Sequence, residues 1–578
     1  MFFLWFRTYA NVLRYTTFKD GMRIFISLLF ANILLIGSNA LPTAVHEKLF
    51  LSFTICFFNF IMAFFAIFCF RMAIRLIFDS VINRQTKKKY IETFIYGIDL
   101  SQVNTAKMII ADQKLPYHIV GFISPKSEIS DQKIIGLPIY KADYIFSHID
   151  TFPWIKAILI NSEETEQEEK RYLAEICLQN KIDLLTAPSI SNWVNSDSRE
   201  SKITKVDIKD LLGRGCLQIN MESIGQTLQG KTIMITGAAG SIGSEIVRQL
   251  SNFEVGLLVL CDMAESPLHQ LGLELMDTYP DLKFHLSICD VRNYDKMKSV
   301  VDSFRPHYIY HAAAYKHVPL MENHPCEAIL ANVLGSKIMS SLALDYKAEC
   351  FVMISTDKAV NPSNVMGASK RIAEIYVQTL AKQRQAKEKE TAETRFIITR
   401  FGNVLGSNGS VIPRFTQQIA QGGPITVTHP DIIRYFMTTQ EACSLVLEAG
   451  NMGKGGEIFV FDMGEPVKIK SMAEEMIRLS GLEPYKDIDI IYTGLRPGEK
   501  LYEELLYDKE NTKPTNNKKI MIGKTEDRDF NTMDAAISRM IAAACACRQT
   551  EVVKIMKEIV PEFISNNSSY TDLDKKVK

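Results

Sequence analysis

No Cys-x-x-Cys pair and no Cys/His set at metal-ligand spacing occurs in this chain. Its eleven cysteines are scattered, and only Cys545 and Cys547 lie close together. That usage argues against a zinc module or a disulfide framework and fits a reducing compartment, with thiols serving as small buried apolar groups. No metal site is expected. An excess of charge is lacking too. With 66 basic and 66 acidic side chains the formal net charge is zero, so no bulk field draws the chain to nucleic acid. Repeats of solenoid period are missing, as are low-complexity tracts beyond short charged loops. What is present is length. A chain of 578 residues exceeds one core and implies roughly three or four domains.

Charge is also missing locally. Ile24 to Val45 and Leu49 to Phe70 hold no charged residue. Each run of 22 residues can cross a hydrocarbon core as a helix. The first run has no small-residue cleavage site, and a second follows after three residues, unlike a signal peptide. Arg7, Arg14, Lys19 and Arg23 flank one end, and Arg71, Arg75, Arg84 and Lys87–Lys89 the other. The connection sets Lys48 against Glu47. The positive-inside rule puts both ends in the cytoplasm. The expected location is the inner membrane, multi-pass, with the remaining chain tethered on the cytoplasmic side.

The stretch Thr232 to Val247 organises the rest. A β-prone run, Thr232–Thr236, meets Gly237-Ala-Ala-Gly240-Ser241-Ile242-Gly243, and a helical pattern follows. Gly237 permits a tight turn, Gly240 lets backbone approach a pyrophosphate, and Gly243 lets the helix sit close on the sheet. The helix N-terminus offers free N–H groups to phosphate. Asp262, 25 residues after Gly237, ends a second apolar run, where a carboxylate accepts from a ribose 2′-OH and favours NAD over NADP. A third strand, Lys283–Ile288, leads to Asp290 and Val291. Asp290 is placed either to bond an adenine amino group or to cap the helix Tyr294–Phe304. Tyr308–His311 runs into Ala312 and Ala313, small residues suited to close passage beside a cofactor; His317 is assigned no chemistry.

The strand Phe351–Ser355 delivers Thr356, Asp357 and Lys358 to a position just past its carboxyl end, where a parallel sheet lines its ligand crevice. Lys370, on the first turns of the next helix, can reach a nicotinamide ribose. Upstream, Glu92 to about Asn195 alternates β-like runs (Thr93–Tyr96, His118–Phe122, Ala157–Ile160, Asp183–Thr186) with helix-length polar stretches. That is a small doubly wound pattern. Asp99 stands where a phosphate-cradling glycine would be and would repel pyrophosphate, so a structural role and a regulatory nucleotide site both stay open. Asn195 to Lys205 reads as a linker, and Asp210 to Arg214 as a docking segment.

TGAAGSIGSE, HAAAYKHVPLME, STDKAVNPSNVMGASKR, RFGNVLGSNGSVIPRF, IIRYFMT and RPGEKLYEEL, within about Leu211 to Leu506, resemble the extended short-chain dehydrogenase/reductase family. The closer resemblance is to membrane-bound nucleotide-sugar 4,6-dehydratases acting on UDP-N-acetylglucosamine. Most of the wider family carries Tyr-x-x-x-Lys. Met366 holds the tyrosine position here, as in the membrane-bound group, which leaves the base for the C4 hydroxyl unassigned. That group usually has four membrane helices. Phe6 to Tyr15 is similar to its loop between helices two and three, so the chain reads as one hairpin short.

The resemblance implies oxidation at C4 by NAD, water elimination across C5 and C6, and hydride return to C6. Lys358 is then the base at C5 and Asp357 the acid at the C6 hydroxyl, with Thr356 on the C4 oxygen. Lys358 must be neutral, its pKa falling from about 10.4 toward roughly 7–8, and Asp357 must be protonated. Direct pairing would oppose both, so the two are expected to address different sugar atoms when substrate is bound. Lys370 stays charged. Asn403, Arg434 and Arg496 contact UDP, and Glu499 its ribose. Expected partners are the UDP-sugar, the membrane, further copies of the chain as a homo-oligomer, and downstream sugar-modifying enzymes. A C5-inverting dehydratase, which normally keeps the tyrosine, and an inactive NAD-binding membrane scaffold are the rivals. A 4-epimerase would not need the Asp-Lys pair.

The expected architecture is α/β: two doubly wound Rossmann-like domains in tandem after an N-terminal transmembrane helical hairpin. Its expected bounds are 1–90 for the membrane region, 91–197 for a small degenerate Rossmann-like domain and 198–229 for linker and docking segment. The NAD-binding catalytic domain follows at 230–525, with the substrate part mainly 400–525. Residues 526–578 read as a helical, increasingly polar tail with no assigned function.

Overall fold

A computed structural model describes residues 18–40, 53–85, 90–112, 115–125, 132–152, 154–161, 165–180, 182–187, 203–206, 219–387, 394–503, 512–524 and 527–576. The chain divides into two compact units, one of residues 1–91 with 113–118 and one of 92–112 with 119–578.

The first unit holds two helices, Phe18–Ala40 and Phe53–Gln85. They pack side by side in opposite directions. Gly21 faces Phe68, the Phe25 ring meets Phe60 and Phe64 edge-on, and the Asn32 amide donates to the Cys56 carbonyl at 2.9 Å. Their outer faces expose Leu34, Phe57, Phe58, Met62 and Phe65, an apolar surface ill suited to water. The second helix begins later than expected and runs past the apolar stretch, whose 21 residues from Thr54 to Ile74 span about 32 Å at 1.5 Å per residue. The first starts earlier, at Phe18. The loop with Glu47 and Lys48, and Phe6 to Tyr15, lie outside the described residues.

In the second unit, the first sheet runs Lys133–Ile134, Leu137–Lys141, Tyr117–Ser124, Ile91–Tyr96, Ala157–Asn161, Asp183–Ala187 and Thr204–Lys205. Its central strands are parallel, and the chain crosses from one side of Ile91–Tyr96 to the other, as in a doubly wound sheet. Each of the four anticipated strands is present. Thr204 and Lys205, expected in a linker, instead add an antiparallel edge strand. At the crossover, Asn161 Nδ2 donates to Ser101 Oγ at 2.8 Å, bridging the strand end to the helix Leu100–Ala111. Asp210 to Arg214 lie outside the described residues.

The second sheet runs Phe284–Ile288, Leu257–Asp262, Thr232–Thr236, Tyr308–His311, Cys350–Thr356, Arg395–Phe401, Ile458–Phe461, Ile520–Gly523 and Thr512–Pro514. The first seven are parallel and the last two antiparallel. The central strands are buried on both faces, as their continuous apolar runs require. The direction of winding reverses between Thr232–Thr236 and Tyr308–His311, which opens a crevice at their carboxyl ends. The helical stretch Pro325–Asp345 is apolar enough to span a membrane by composition, yet it packs into the core beneath this sheet. So do the tail helices Phe530–Cys545 and Gln549–Ile559, through Ile537, Met540, Val552 and Met556.

Candidate active site

The chain leaves Thr232–Thr236 into a turn whose glycines have different jobs. Gly237 has φ +69°, and a Cβ there would lie 2.7 Å from Ala313 N. Gly243 lies in the helix Ser241–Leu250, and its Cβ would come within 2.0 Å of Gly237 O. Gly240, the N-cap, has ordinary φ, and a Cβ would meet only Gly237 O, at 3.2 Å. One glycine makes the turn, one lets the helix close on it, and one leaves open space before the helix N-terminus. The Asp262 carboxylate is pinned beside them, accepting from Ala239 N and Ala264 N at 2.9 Å each. Each oxygen keeps capacity for a further donor.

Of the two readings of Asp290, the cap is excluded. Asn293 caps Tyr294–Phe304 by accepting from Lys296 N at 3.0 Å. Asp290 pairs with Arg292 at 2.7 Å, and that guanidinium also reaches Glu327 at 2.8 Å. Although burial pushes the Asp290 carboxyl up, Arg292 holds it below the usual range. Val291 is buried against Gly335. Lys370 is buried too, and its Nζ donates to Ile354 O at 3.0 Å. Burial pulls it down to about 8, with Glu374 opposing, so it remains mostly charged at neutral pH.

Thr356 ends its strand, and Asp357 and Lys358 form a 3-10 turn. Gly367, in the following helix, permits this turn to pack closely; a Cβ there would lie 2.1 Å from Lys358 O. Asp357 Oδ1 accepts from Thr356 Oγ1 at 2.7 Å, from Lys358 N at 2.8 Å and from Lys358 Nζ at 3.0 Å. The amine also faces Asn403 Oδ1 at 3.2 Å and Glu503 Oε1 at 3.0 Å. Asp357 and Asn403 accept hydrogen bonds from the ammonium, and Glu503 adds a charge contact. Burial pulls Lys358 down, but the charges of Asp357 and Glu503 outweigh it and leave the amine above its ordinary value. Lys358 is thus one member of a paired cluster. Glu503, unassigned in the sequence, is 6% exposed in its side chain and pushed up chiefly by burial. Its place in the RPGEKLYEEL stretch was its only sequence signal.

Gly237, Gly240, Ser241, Ile242, Gly243, Ala312, Thr356, Lys358, Lys370, Asn403, Arg434, Arg496 and Glu499 all line one cavity of about 670 Å³. Met366 and Glu503 line it as well. Asp357 sits just behind, while Asp262, Asp290, Val291 and Ala313 do not line it. Arg434 is also tied to the protein. It donates to the carbonyls of Ile433 (2.7 Å), Leu501 (3.3 Å) and Lys500 (2.8 Å) and pairs with Glu499 (3.3 Å) and Glu503 (3.2 Å). Its fork holds the 499–503 segment while the side chain lines the cavity. Arg496 is half-exposed and pairs with Glu499 at 3.2 Å. Sequence reasoning left out Lys316 and Arg414, which also line the cavity; among the described residues neither has a carboxylate within 4 Å. His317, packed against Gly409, lies beside them, lowered by burial and by Lys316 and Arg496.

Residues 233–525 match a family described as polysaccharide biosynthesis protein. The capsular polysaccharide biosynthesis protein CapD of Staphylococcus aureus is 45% identical over 388 residues, 67% of this chain and 63% of CapD. The probable polysaccharide biosynthesis protein EpsC of Bacillus subtilis strain 168 is 39% identical over 459 residues, 78% and 75% of the two chains. A UDP-glucose 4-epimerase of Rickettsia akari is 36% identical over 49% of this chain and 80% of its own. Among solved structures, Pen from Bacillus thuringiensis is 32% identical, with TM-score 0.47, covering 52% of this chain and 90% of Pen. With half its length matched by the family and three quarters of EpsC spanned at this identity, the chain belongs to the polysaccharide biosynthesis protein family.

Proposed function

We propose that the chain is an NAD-dependent 4,6-dehydratase of UDP-N-acetylglucosamine, tethered to the cytoplasmic face of a membrane and serving surface-glycan or protein-glycosylation pathways. One observation carries the reading: the glycine turn, Thr356 and Lys358, and the Asn403 and Arg496 side chains open on the same cavity, with Asp357 bonded behind Lys358. The residues fit a dinucleotide. A bulky residue at Gly240 would project into the space before the helix N-terminus. Asp262 is fixed at its strand end with acceptor capacity left for a ribose. NAD, when bound, supplies reversible acceptance of a hydride.

The protein's own part is proton management. The Asp357–Lys358 ion pair and the neutral pair that elimination needs differ by one proton, across a 3.0 Å contact. Moving it from Nζ to the carboxylate yields both required states at once: a free amine for the C5 proton and an acid for the C6 hydroxyl. A sugar that excludes water favours the neutral pair, because desolvation penalises charge. Glu503, raised by burial, is a second acceptor at the same distance. Thr356 orients Asp357 and can turn its hydroxyl to the C4 oxygen. Lys370, charged, would hold the nicotinamide ribose. Met366 lines the cavity but transfers no proton, so the C4 hydroxyl needs another base. Lys316, Arg414 and Arg496 supply positive charge for a diphosphate. Arg434 serves by holding Glu499 and Glu503.

Incubating the solubilised protein with UDP-N-acetylglucosamine and following the product by NMR tests this. A 4-keto-6-deoxy sugar with C5 retained supports it. A C5 epimer, a C4 epimer or unchanged substrate points to an inverting dehydratase, an epimerase or a scaffold, respectively.

A further inference from the structure

The tail beyond residue 525 lies outside the family match, yet it ends at the active site. After the helix Gln549–Ile559 the chain turns back. Ile564 N donates to Pro362 O at 3.2 Å and Asn566 N to Ser363 O at 3.1 Å. On its other side, Gly498 N donates to Asn566 O at 2.9 Å, Asn566 Nδ2 to Glu499 O at 3.4 Å and Asn567 Nδ2 to Leu495 O at 2.9 Å. The segment thus stitches the loop after the Asp357–Lys358 turn to the loop 495–500, which carries Arg496 and Glu499 into the cavity.

Its base is locked. Lys557 is 2% exposed, and its Nζ donates to Ser565 Oγ at 2.8 Å and to Phe563 O at 3.3 Å and pairs with Asp574. Asp574 also accepts from Ser565 N at 3.2 Å. A buried, fully partnered lysine fixes where the returning chain lies. The loop it meets has little freedom of its own: Gly498 has φ +75°, and a Cβ there would lie 2.7 Å from Asn364.

We propose that residues 563–568 are a strap that sets the nucleotide-sugar loop 495–500, with Asn566 and Asn567 as its positioning residues. The identity of the ligand rests on the dehydratase reading; the mechanical claim does not. The strap holds three backbone groups of a loop that contacts substrate, so loosening it weakens substrate binding and leaves the chemistry at Lys358 intact.

The test compares the wild-type chain with Asn566→Ala/Asn567→Gly. Glycine suits residue 567, whose φ is +47°, and so deletes the amide without adding strain. Losing two side-chain hydrogen bonds should raise KM for UDP-N-acetylglucosamine and Kd for UDP by about tenfold. The kcat should stay within about twofold, with NAD binding and Tm held. Asn567→Asp, which puts an acceptor against Leu495 O, should weaken UDP further. Amide exchange at Gly498 and Glu499 should quicken in the double variant without any ligand. Unchanged exchange and unchanged KM overturn the strap, as does a fall in kcat at constant KM. If wild type binds no UDP but exchange still quickens, the substrate assignment fails and the strap stands.

Discussion

Gly243→Ala is the sharpest test of the cofactor turn. The added Cβ would lie 2.0 Å from Gly237 O, 2.8 Å from Gly237 C and 2.9 Å from Ala238 Cα, all backbone. Close carbon–oxygen contacts sit near about 3.3 Å, so helix and turn must separate by roughly 1.3 Å. The turn cannot yield, because Gly237 is itself pressed against Ala312 and Ala313. Overpacking of this kind costs about 1–3 kcal/mol, or roughly 1–5 °C in the melting temperature of a unit this large. The same displacement carries the helix N-terminus off the pyrophosphate, so NAD affinity should fall at least about tenfold, the equivalent of 1.4 kcal/mol. Gly240→Ala is the control. Its Cβ meets one atom at 3.2 Å, so stability should hold while the methyl obstructs the phosphates and weakens NAD. Calorimetric titration with NAD and a thermal melt on all three proteins separate the cases. A Gly243→Ala protein that melts with wild type and binds NAD equally would refute the account of the turn.

Lys358→Met should leave NAD bound and lower kcat by about 10²–10⁴-fold, the usual worth of a positioned proton-transfer group; turnover at the wild-type rate would remove it as base. Glu503→Gln takes away one of the charges that hold Lys358 up, so the amine sheds its proton at lower pH. The acid limb of the kcat/KM profile should move to lower pH, and a profile superimposable on wild type would contradict the cluster. Lys370 is pushed down to about 8: its charge is mostly present at neutral pH and lost as pH rises through that value. NAD Kd, followed by titration from pH 7 to about 9.5, should weaken across that window, and a flat profile would show that the charge plays no part.

Much of the architecture was legible because its signals are local. Uncharged apolar runs, glycines at fixed offsets and β-prone strand cores depend on neighbours a few residues away. The strand that delivers Thr356 and the helix that carries Lys370 could be placed from such patterns. The site's electrostatics could not. Asp290 read equally as ligand and cap because three-residue spacing cannot tell which side chain wins a helix end; Asn293 does. Arg434 read as a free cation because its partners, Glu499 and Glu503, lie more than sixty positions away. The contact of Lys358 with Glu503 was out of view for the same reason.

The sequence by itself determined that two apolar helices precede parallel α/β sheets, that a glycine turn opens the second sheet's crevice, and that an acid and an amine stand together past a strand end. Tertiary structure alone decided the ion partners of that amine and of Arg434 and the reach of the tail to the cavity. Backbone conformation follows from adjacent residues. Burial and ion pairing follow from which distant segments share a cavity, and that is settled only when the chain has packed.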